Sequence, residues 1–252
     1  MKPFENSYSS FYDLLYHDKN YKKEFNNIYK FIPKKDFTFN KILELGCGTG
    51  NFSNFFLSFK PSEILGIDSS KSMIQIAKNK HKNKKLIFKH INISNFKSKN
   101  KYDLIYSLFH VLSYQTKKSQ IKKFFNITKK NLKKNGIFIF DFWNKNGVLN
   151  LKPSKRYKVV RTSKFDIHRF SEPEWIKSKD IVKIKYLMLV HDKKRNKRIK
   201  FSENHLVRYF NLNFIKKILK INNLKILKVF NSIHTNKSSS NSWALTFITM
   251  KV

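Results

Sequence analysis

The densest chemical signal in this sequence is the run Glu44-Leu45-Gly46-Cys47-Gly48-Thr49-Gly50. Glycines at alternate positions let a backbone approach a ligand without Cβ obstruction, and they leave the N–H groups of a following helix facing it. About twenty residues further on, the apolar run Ile64-Leu65-Gly66-Ile67 ends in Asp68, a carboxylate suited to gripping ribose hydroxyls. Together these describe a nucleoside-binding turn and its partner acid. A glycine turn that only reverses the chain is the competing reading, and it leaves the acid unexplained. Dinucleotide sites use G-x-G-x-x-G, whereas the spacing here is G-x-G-x-G with an acid ahead of it.

Other residues carry less specific chemistry. His110 follows an apolar run and is the first candidate for a base, with an orienting role or a core histidine as alternatives. Asp141 ends another apolar run, where it either meets a substrate or caps the Asn144–Gly147 loop. His205 and Arg208 lie close together in a later segment; Arg208 can clamp a phosphate or pair with Glu203. Tyr16 and Tyr21 offer aromatic faces to a cation, or simply core packing. Cys47 is the only cysteine, which excludes an internal disulfide and suits a reducing cytoplasm. No His, Cys or Asp cluster has metal-ligand spacing, so no metal is expected.

The elements that must position these residues alternate. Two amphipathic helices open the chain, one through Tyr8, Phe11, Tyr12, Leu15 and Tyr16, the next through Tyr21, Phe25, Ile28, Tyr29 and Ile32 before Pro33. Strands are expected at Lys41–Gly46, Glu63–Asp68, Leu86–Ile93, Tyr102–Leu108 and Ile137–Trp143. Helices are expected between them at Asn51–Phe59, Ser70–Lys80 and Lys118–Leu132. Such alternation predicts an α/β fold, a Rossmann-like, doubly wound, mostly parallel seven-stranded sheet. Over residues 150–210 the period drops to two: Val182, Ile184, Tyr186, Met188 and Val190 alternate along one run, and Lys158–His168 and Arg198–Phe210 are similar. This predicts an antiparallel insertion beside the main sheet, a lid over the substrate. A helix at Leu212–Leu219, strands at Leu224–Phe230 and Trp243–Met250, and a polar loop at Ser238–Ser240 complete the chain. The 252 residues thus form one domain: N-terminal helices (1–33), a core (34–149 and 211–252) and the insertion.

Composition narrows the function. No apolar run suits a membrane span, and the first residues lack a signal peptide's apolar stretch. The net charge of +37 raises the possibility of a nucleic-acid partner, but nearly all of it is lysine scattered along the chain. That scatter favours compositional bias over a dedicated nucleic-acid face, while still attracting an anionic substrate.

The strand ending in Glu44-x-Gly46-x-Gly48-x-Gly50, with Asp68 ending the next strand, resembles the class I S-adenosylmethionine-dependent methyltransferases, whose first motif is D/E-x-G-x-G-x-G. The resemblance implies S-adenosyl-L-methionine as cofactor. It places Glu44, Gly46, Cys47, Gly48 and Gly50 at the donor, Asp68, Ser69 and Met73 near the ribose, and Tyr16 and Tyr21 near the sulfonium. Where the family usually has an acid for the adenine amino group, this chain has Ile91-Asn92-Ile93; Asn92 can accept the same bond without charge. Ser107-Leu108-Phe109-His110-Val111-Leu112-Ser113-Tyr114 corresponds to the segment beneath the methyl donor. It is not the D/N/S-P-P-Y/F/W signature of base methylation, and a second cysteine for pyrimidine chemistry is missing. Both points weigh against nucleic acid as substrate.

Tyr12–Tyr16 with Lys19–Tyr21, Phe109–Tyr114, Asp141–Trp143 and Glu203–Phe210 are similar to small methyltransferases acting on amino groups of nucleotide-linked deoxysugars, and to relatives in capsule and surface-polysaccharide tailoring. That similarity implies methylation of an amine or hydroxyl on a small anionic molecule, a nucleotide sugar or capsule biosynthesis precursor, with phosphoramidate O-methylation as a variant. Tyr114, Asp141, Trp143, His205 and Arg208 are the expected substrate residues and His110 the expected catalytic one. An RNA methyltransferase and a non-catalytic cofactor-binding protein are the rival readings.

Overall fold

A computed structural model describes residues 4, 7–33, 37–231 and 241–252. The helices α1 (Ser7–Leu15) and α2 (Tyr21–Tyr29) lead, and α1 buries Tyr8, Phe11, Tyr12 and Leu15, one face at helical spacing. Next come β1 (Lys41–Leu45), α3 (Ser53–Phe56), β2 (Glu63–Asp68), α4 (Lys71–Lys80), β3 (Leu86–His90) and β4 (Tyr102–Ser107). The chain continues through α5 (Lys118–Asn131), β5 (Leu132–Asn144), α6 (Lys145–Leu151), β6 (Arg156–Arg161) and β7 (Phe165–Ile176). It ends with β8 (Ile181–Asp192), β9 (Lys197–Phe210), α7 (Leu212–Ile221), β10 (Leu224–Phe230) and β11 (Ala244–Lys251).

Strands β3-β2-β1-β4-β5 pair in parallel, β11 joins β5 antiparallel, and β10 joins β11 antiparallel. This is the doubly wound, mostly parallel seven-stranded sheet. Its faces are covered on both sides, so its strands read as nearly continuous apolar runs. Along β5 the alternation is explicit: Phe138, Phe140 and Phe142 join one core, Ile137 and Ile139 the other.

The insertion β6-β7-β8-β9 is antiparallel, but it is not a separate layer beside the main sheet. β9 pairs in parallel with the end of β5, Trp143 opposite Tyr209 and Asn144 opposite Phe210, making one eleven-stranded sheet. β4 leaves β5 after Phe140, and β9 takes the vacated edge.

Local chemistry explains three departures from the expected elements. The expected Lys158–His168 run is divided by a turn in which Thr162 Oγ1 accepts the amides of Lys164 and Phe165. β7 then extends to Ile176 through Pro173, which lies beyond Arg156, the first residue of β6 opposite Ser171, on a stretch paired with β8 alone. The expected helix Asn51–Phe59 is one α-turn and one 3-10 turn, and the expected Asn144–Gly147 loop opens α6. Ser238–Ser240 lies outside the described residues. Among the described residues no helix is long and apolar enough to cross a membrane.

Gly147 lets α6 lie against the segment entering β11, since a Cβ there would stand 2.1 Å from the Ser242 carbonyl oxygen. Gly147→Ala is expected to destabilise the fold by about 1–3 kcal/mol in urea denaturation. An unchanged midpoint would show that this packing yields freely.

Candidate active site

The turn after β1 is built on left-handed glycines, with φ of +76° at Gly46, +53° at Gly48 and +77° at Gly50. Ile67 of β2 accepts the amides of Gly46 (2.8 Å) and Cys47 (3.0 Å), so the turn hangs from the neighbouring strand. Asp13 of α1 holds its far side, accepting from Thr49 Oγ1 (2.7 Å), Asn51 Nδ2 (3.1 Å) and Lys80 Nζ (2.8 Å). A Cβ on Gly46 would meet the Val111 methyls at 2.6 Å, whereas one on Gly48 would meet nothing within 4 Å. Gly48 therefore opens on a space, and Gly46 seats the segment after β4.

That space is a cavity of about 350 Å³ at the carboxyl ends of the parallel strands. Glu44, Gly46, Cys47 and Gly48 contribute from the end of β1, and Asp68, Ser69 and Met73 from the end of β2 and the start of α4. Asn92, Ile93 and Leu108 contribute from the segments after β3 and β4, with Tyr21 and Tyr114. Phe4, Tyr12, Asn51, Phe52, Phe109 and Gln120 also line it. The sequence pattern marks Tyr12 and Phe109 only within longer motifs and does not single out the other four; Asn51 adjoins the glycine motif, while Phe4 and Gln120 carry no local signal.

Two carboxylates define its polar side. Asp68 accepts Gly48 N on Oδ2 (2.9 Å) and Ser70 N on Oδ1 (2.8 Å), and enclosure raises its pKa against those bonds. Glu44 Oε2 accepts Tyr106 Oη (2.8 Å) and Ser53 Oγ, and burial pushes its pKa up to about 7. Burial likewise drives the Cys47 thiol upward, which suits packing and not nucleophilic attack. Tyr21 Oη is buried without a hydrogen-bond partner among the described residues; Asn51 approaches it without closing a bond. The Lys19 ammonium stands over Phe109 (4.6 Å), Tyr21 (5.1 Å) and Phe52 (5.8 Å), its charge met by buried Glu24. Three rings bordering the cavity thus already hold a cation.

The remaining expected residues stand outside the cavity wall. Gly50 packs on Phe88, and Tyr16 packs on Phe109 and Tyr12. Asp141 is 1% exposed and accepts the amides of His110 (2.7 Å) and Phe109 (3.2 Å), both left-handed with φ of +66°. It anchors this pair of residues in the loop after β4, it does not cap the Asn144–Gly147 stretch, and it is not among the residues lining the cavity. His110 Nδ1 lies 3.2 Å from Asp141 Oδ2, outside hydrogen-bond geometry, and its ring stands 6.3 Å from Trp143. Trp143 packs on Trp243 while its amide donates to Ser113 Oγ.

His205 is wholly enclosed, held between Tyr114 Oη (3.0 Å) and Glu203 (3.2 Å), and it borders the cavity through Tyr114 and through the Phe4 ring at 4.6 Å. Arg208 does not pair with Glu203: it donates to the Thr116 carbonyl (2.8 Å) and covers Phe210. Glu203 instead accepts Phe4 N at 3.0 Å. Among the described residues, no group of three His, Cys, Asp or Glu side chains is placed to hold a metal ion.

Residues 42–136, about two fifths of the chain, match the family model of a methyltransferase domain. Over 98% of its length the chain superimposes on 99% of an S-adenosylmethionine-dependent methyltransferase from Clostridium acetobutylicum, at 25% identity and a TM-score of 0.80. It has the fold of the sugar N-methyltransferase KedS8 from Streptoalloteichus (16% identity, 98% and 93% of the two chains, TM-score 0.80). It is 36% identical over 126 residues to a malonyl-[acyl-carrier protein] O-methyltransferase of Ilyobacter polytropus, 49% of this chain and 47% of that protein. The chain spans less than half the length of the curated relatives it matches.

The site of this methyltransferase domain fits S-adenosylmethionine on its own chemistry. Gly48 leaves room beside the Asp68 carboxylate, and the buried Tyr21 hydroxyl has no hydrogen-bond partner among the described residues. Glu44 also marks the domain's stability. Its carboxyl titrates near pH 4.5 when unexposed surroundings are lost and at about 7 when folded, so the folded chain binds more protons between those values. Stability of the cofactor-free protein should therefore fall by about 3 kcal/mol as pH rises across that interval, and Glu44→Gln should flatten the slope. Parallel slopes in thermal melts of the two proteins would assign the titration elsewhere.

Proposed function

We propose that this chain transfers the methyl group of S-adenosylmethionine to an amine or hydroxyl of a small anionic molecule, a nucleotide-linked sugar or surface-polysaccharide precursor being the class in view. The observation that carries the reading is the cavity where Gly48, Asp68 and the cation-holding rings of Tyr21, Phe52 and Phe109 meet. The whole-chain fold shared with a sugar N-methyltransferase supports the choice of acceptor class.

When bound, the cofactor supplies a methyl group on a positively charged sulfur, already activated for displacement. The chain's own task is then to hold the acceptor in line, a contribution of roughly 7–11 kcal/mol when well made. Asp68 and Ser69 would hold the ribose hydroxyls, Asn92 would accept from the adenine amino group, and Tyr21 and Phe109 would face the positive charge. His110 is the proposed proton acceptor. Its Nδ1 lies 3.2 Å from Asp141 Oδ2, near enough for that carboxylate to stabilise the imidazolium that forms when the ring takes a proton. Its left-handed backbone, anchored by Asp141, fixes where the ring stands.

Asp68→Ala should weaken S-adenosylmethionine binding by about 1.5–3 kcal/mol in calorimetry, the worth of lost charge-assisted bonds. Unchanged affinity would remove Asp68 from the cofactor site. His110→Ala should lower turnover about 10²–10⁴-fold with cofactor affinity retained; retained turnover would end its role as base. The acceptor class is tested by incubating the protein with labelled cofactor and a fractionated metabolite extract. Label in a small phosphorylated or sugar-bearing product is expected, while label recovered in RNA would overturn the small-molecule reading.

A further inference from the structure

Arg208 on β9 is occupied by the Thr116 carbonyl, whereas another arginine of the inserted sheet is not. Arg169 on β7 is largely enclosed and meets no carboxylate among the described residues. Its Nη1 reaches Tyr8 Oη and Tyr16 Oη only at 3.4 Å, its guanidinium covers the rings of Tyr16 (5.6 Å) and Tyr186 (5.3 Å), and its buried Nε has no hydrogen-bond partner. An enclosed cation left this way forfeits charge-assisted bonds it would otherwise make.

Register places a second guanidinium beside it. Arg156 pairs with Ser171 across β6 and β7, and Ser171 pairs with Tyr186 across β7 and β8. Arg169 lies two residues from Ser171, so Arg156, Arg169 and Tyr186 share one face, with the two arginines on a diagonal of about 7–8 Å. Both guanidiniums act on the Tyr186 hydroxyl. The third cation of that face, Lys158, is paired with Asp18 at 2.7 Å, and the face's carboxylate, Glu203, is committed to Phe4 N and His205. Arg156 is exposed and has no ion pair among the described residues. The pair adjoins the cavity, because the Tyr16 ring beneath Arg169 packs on the cavity-lining rings of Phe109 (5.2 Å) and Tyr12 (4.8 Å).

We propose that Arg156 and Arg169, flanked by the hydroxyls of Tyr16 and Tyr186, form the recognition site for a phosphoryl group of the methyl acceptor. This rests on the methyltransferase reading and gives its acceptor a chemical class. A guanidinium offers two parallel donors to an oxyanion. A phosphoryl group has enough oxygens and charge to engage both forks and a phenol together, whereas a single carboxylate would fill one fork and leave the other cation unpaired.

The test is calorimetry on the full chain saturated with S-adenosylhomocysteine, at about 0.15 M salt so that diffuse attraction to the lysine-rich surface is screened. The probes are inorganic pyrophosphate, uridine diphosphate and uridine. Wild type should bind both phosphorylated probes and not uridine. Tighter binding of uridine diphosphate than of pyrophosphate would assign a nucleotide source to the phosphoryl group, and equal binding would assign the phosphoryl group alone.

Arg169→Met should weaken pyrophosphate about tenfold or more, Arg156→Met severalfold, and Arg169→Lys should not restore the loss, because lysine lacks the fork. Lys200→Met, which removes the same charge from the opposite face of the sheet, should leave affinity within about twofold. Retained affinity for S-adenosylhomocysteine certifies each variant's fold, and exposed Arg156 provides a variant with little structural risk. An equal loss in Lys200→Met, or no pyrophosphate binding by a wild type that binds S-adenosylhomocysteine, overturns the site and leaves the methyltransferase reading standing. Failure of wild type to bind S-adenosylhomocysteine sinks both.

Discussion

The sheet's continuity through the end of β5 is the constraint on which the rest depends. Phe140 is bonded to β4 on one side and β11 on the other, and three residues later Trp143 has exchanged β4 for β9. A strand cannot change neighbours on one edge unless the first neighbour stops, and β4 stops at Ser107. The chain leaving β4 must then turn away at once. It does so through two left-handed residues, Phe109 and His110, whose amides are taken by Asp141 from β5 itself. One buried carboxylate thereby links the handover of strands, the shape of the loop and the placement of the histidine.

Scarce carboxylates recur at such joints. The sequence has 53 lysines and arginines against 16 aspartates and glutamates, so an acid placed inside is a specific commitment. Glu24, Glu44, Asp141 and Glu203 are all buried, and they meet Lys19, Ser53 with Tyr106, the Phe109–His110 amides, and His205 with Phe4. Asp13 and Asp68 brace the glycine turn from α1 and from β2. Burial of a carboxylate is costly unless it is hydrogen-bonded. Here the bonds go mostly to backbone or to other elements, so the acids fasten loops around one cavity while the lysines face water.

The cofactor side of the molecule was legible from short-range pattern. Glycine spacing, the acid at the tip of β2 and the Ser70 cap of α4 are local statements, and β1, β2 and α4 form where their periods say. The insertion was legible as antiparallel strands but not as a continuation of the sheet, because the two-pair seam of β9 on β5 leaves no periodic trace. Pro173 hid half of β7, since a proline on an unpaired edge reads like a strand end. The polar residues of β9 divided by burial: His205 and Arg208, alike in sequence as chemical groups, became an enclosed partner of Tyr114 and a brace on Thr116.

By itself the sequence determined the alternation of strands and helices and the glycine turn with Asp68, and thus the glycine-and-carboxylate side of the cavity. These depend on residue type and near-neighbour spacing. Only the tertiary structure decided that Asp141 anchors a loop, that Lys19 rests against three rings, and that Arg169 meets no carboxylate among the described residues. Those outcomes depend on which distant segments share a face and which partners are already taken. Long-range pairing sets both, and no local pattern encodes it.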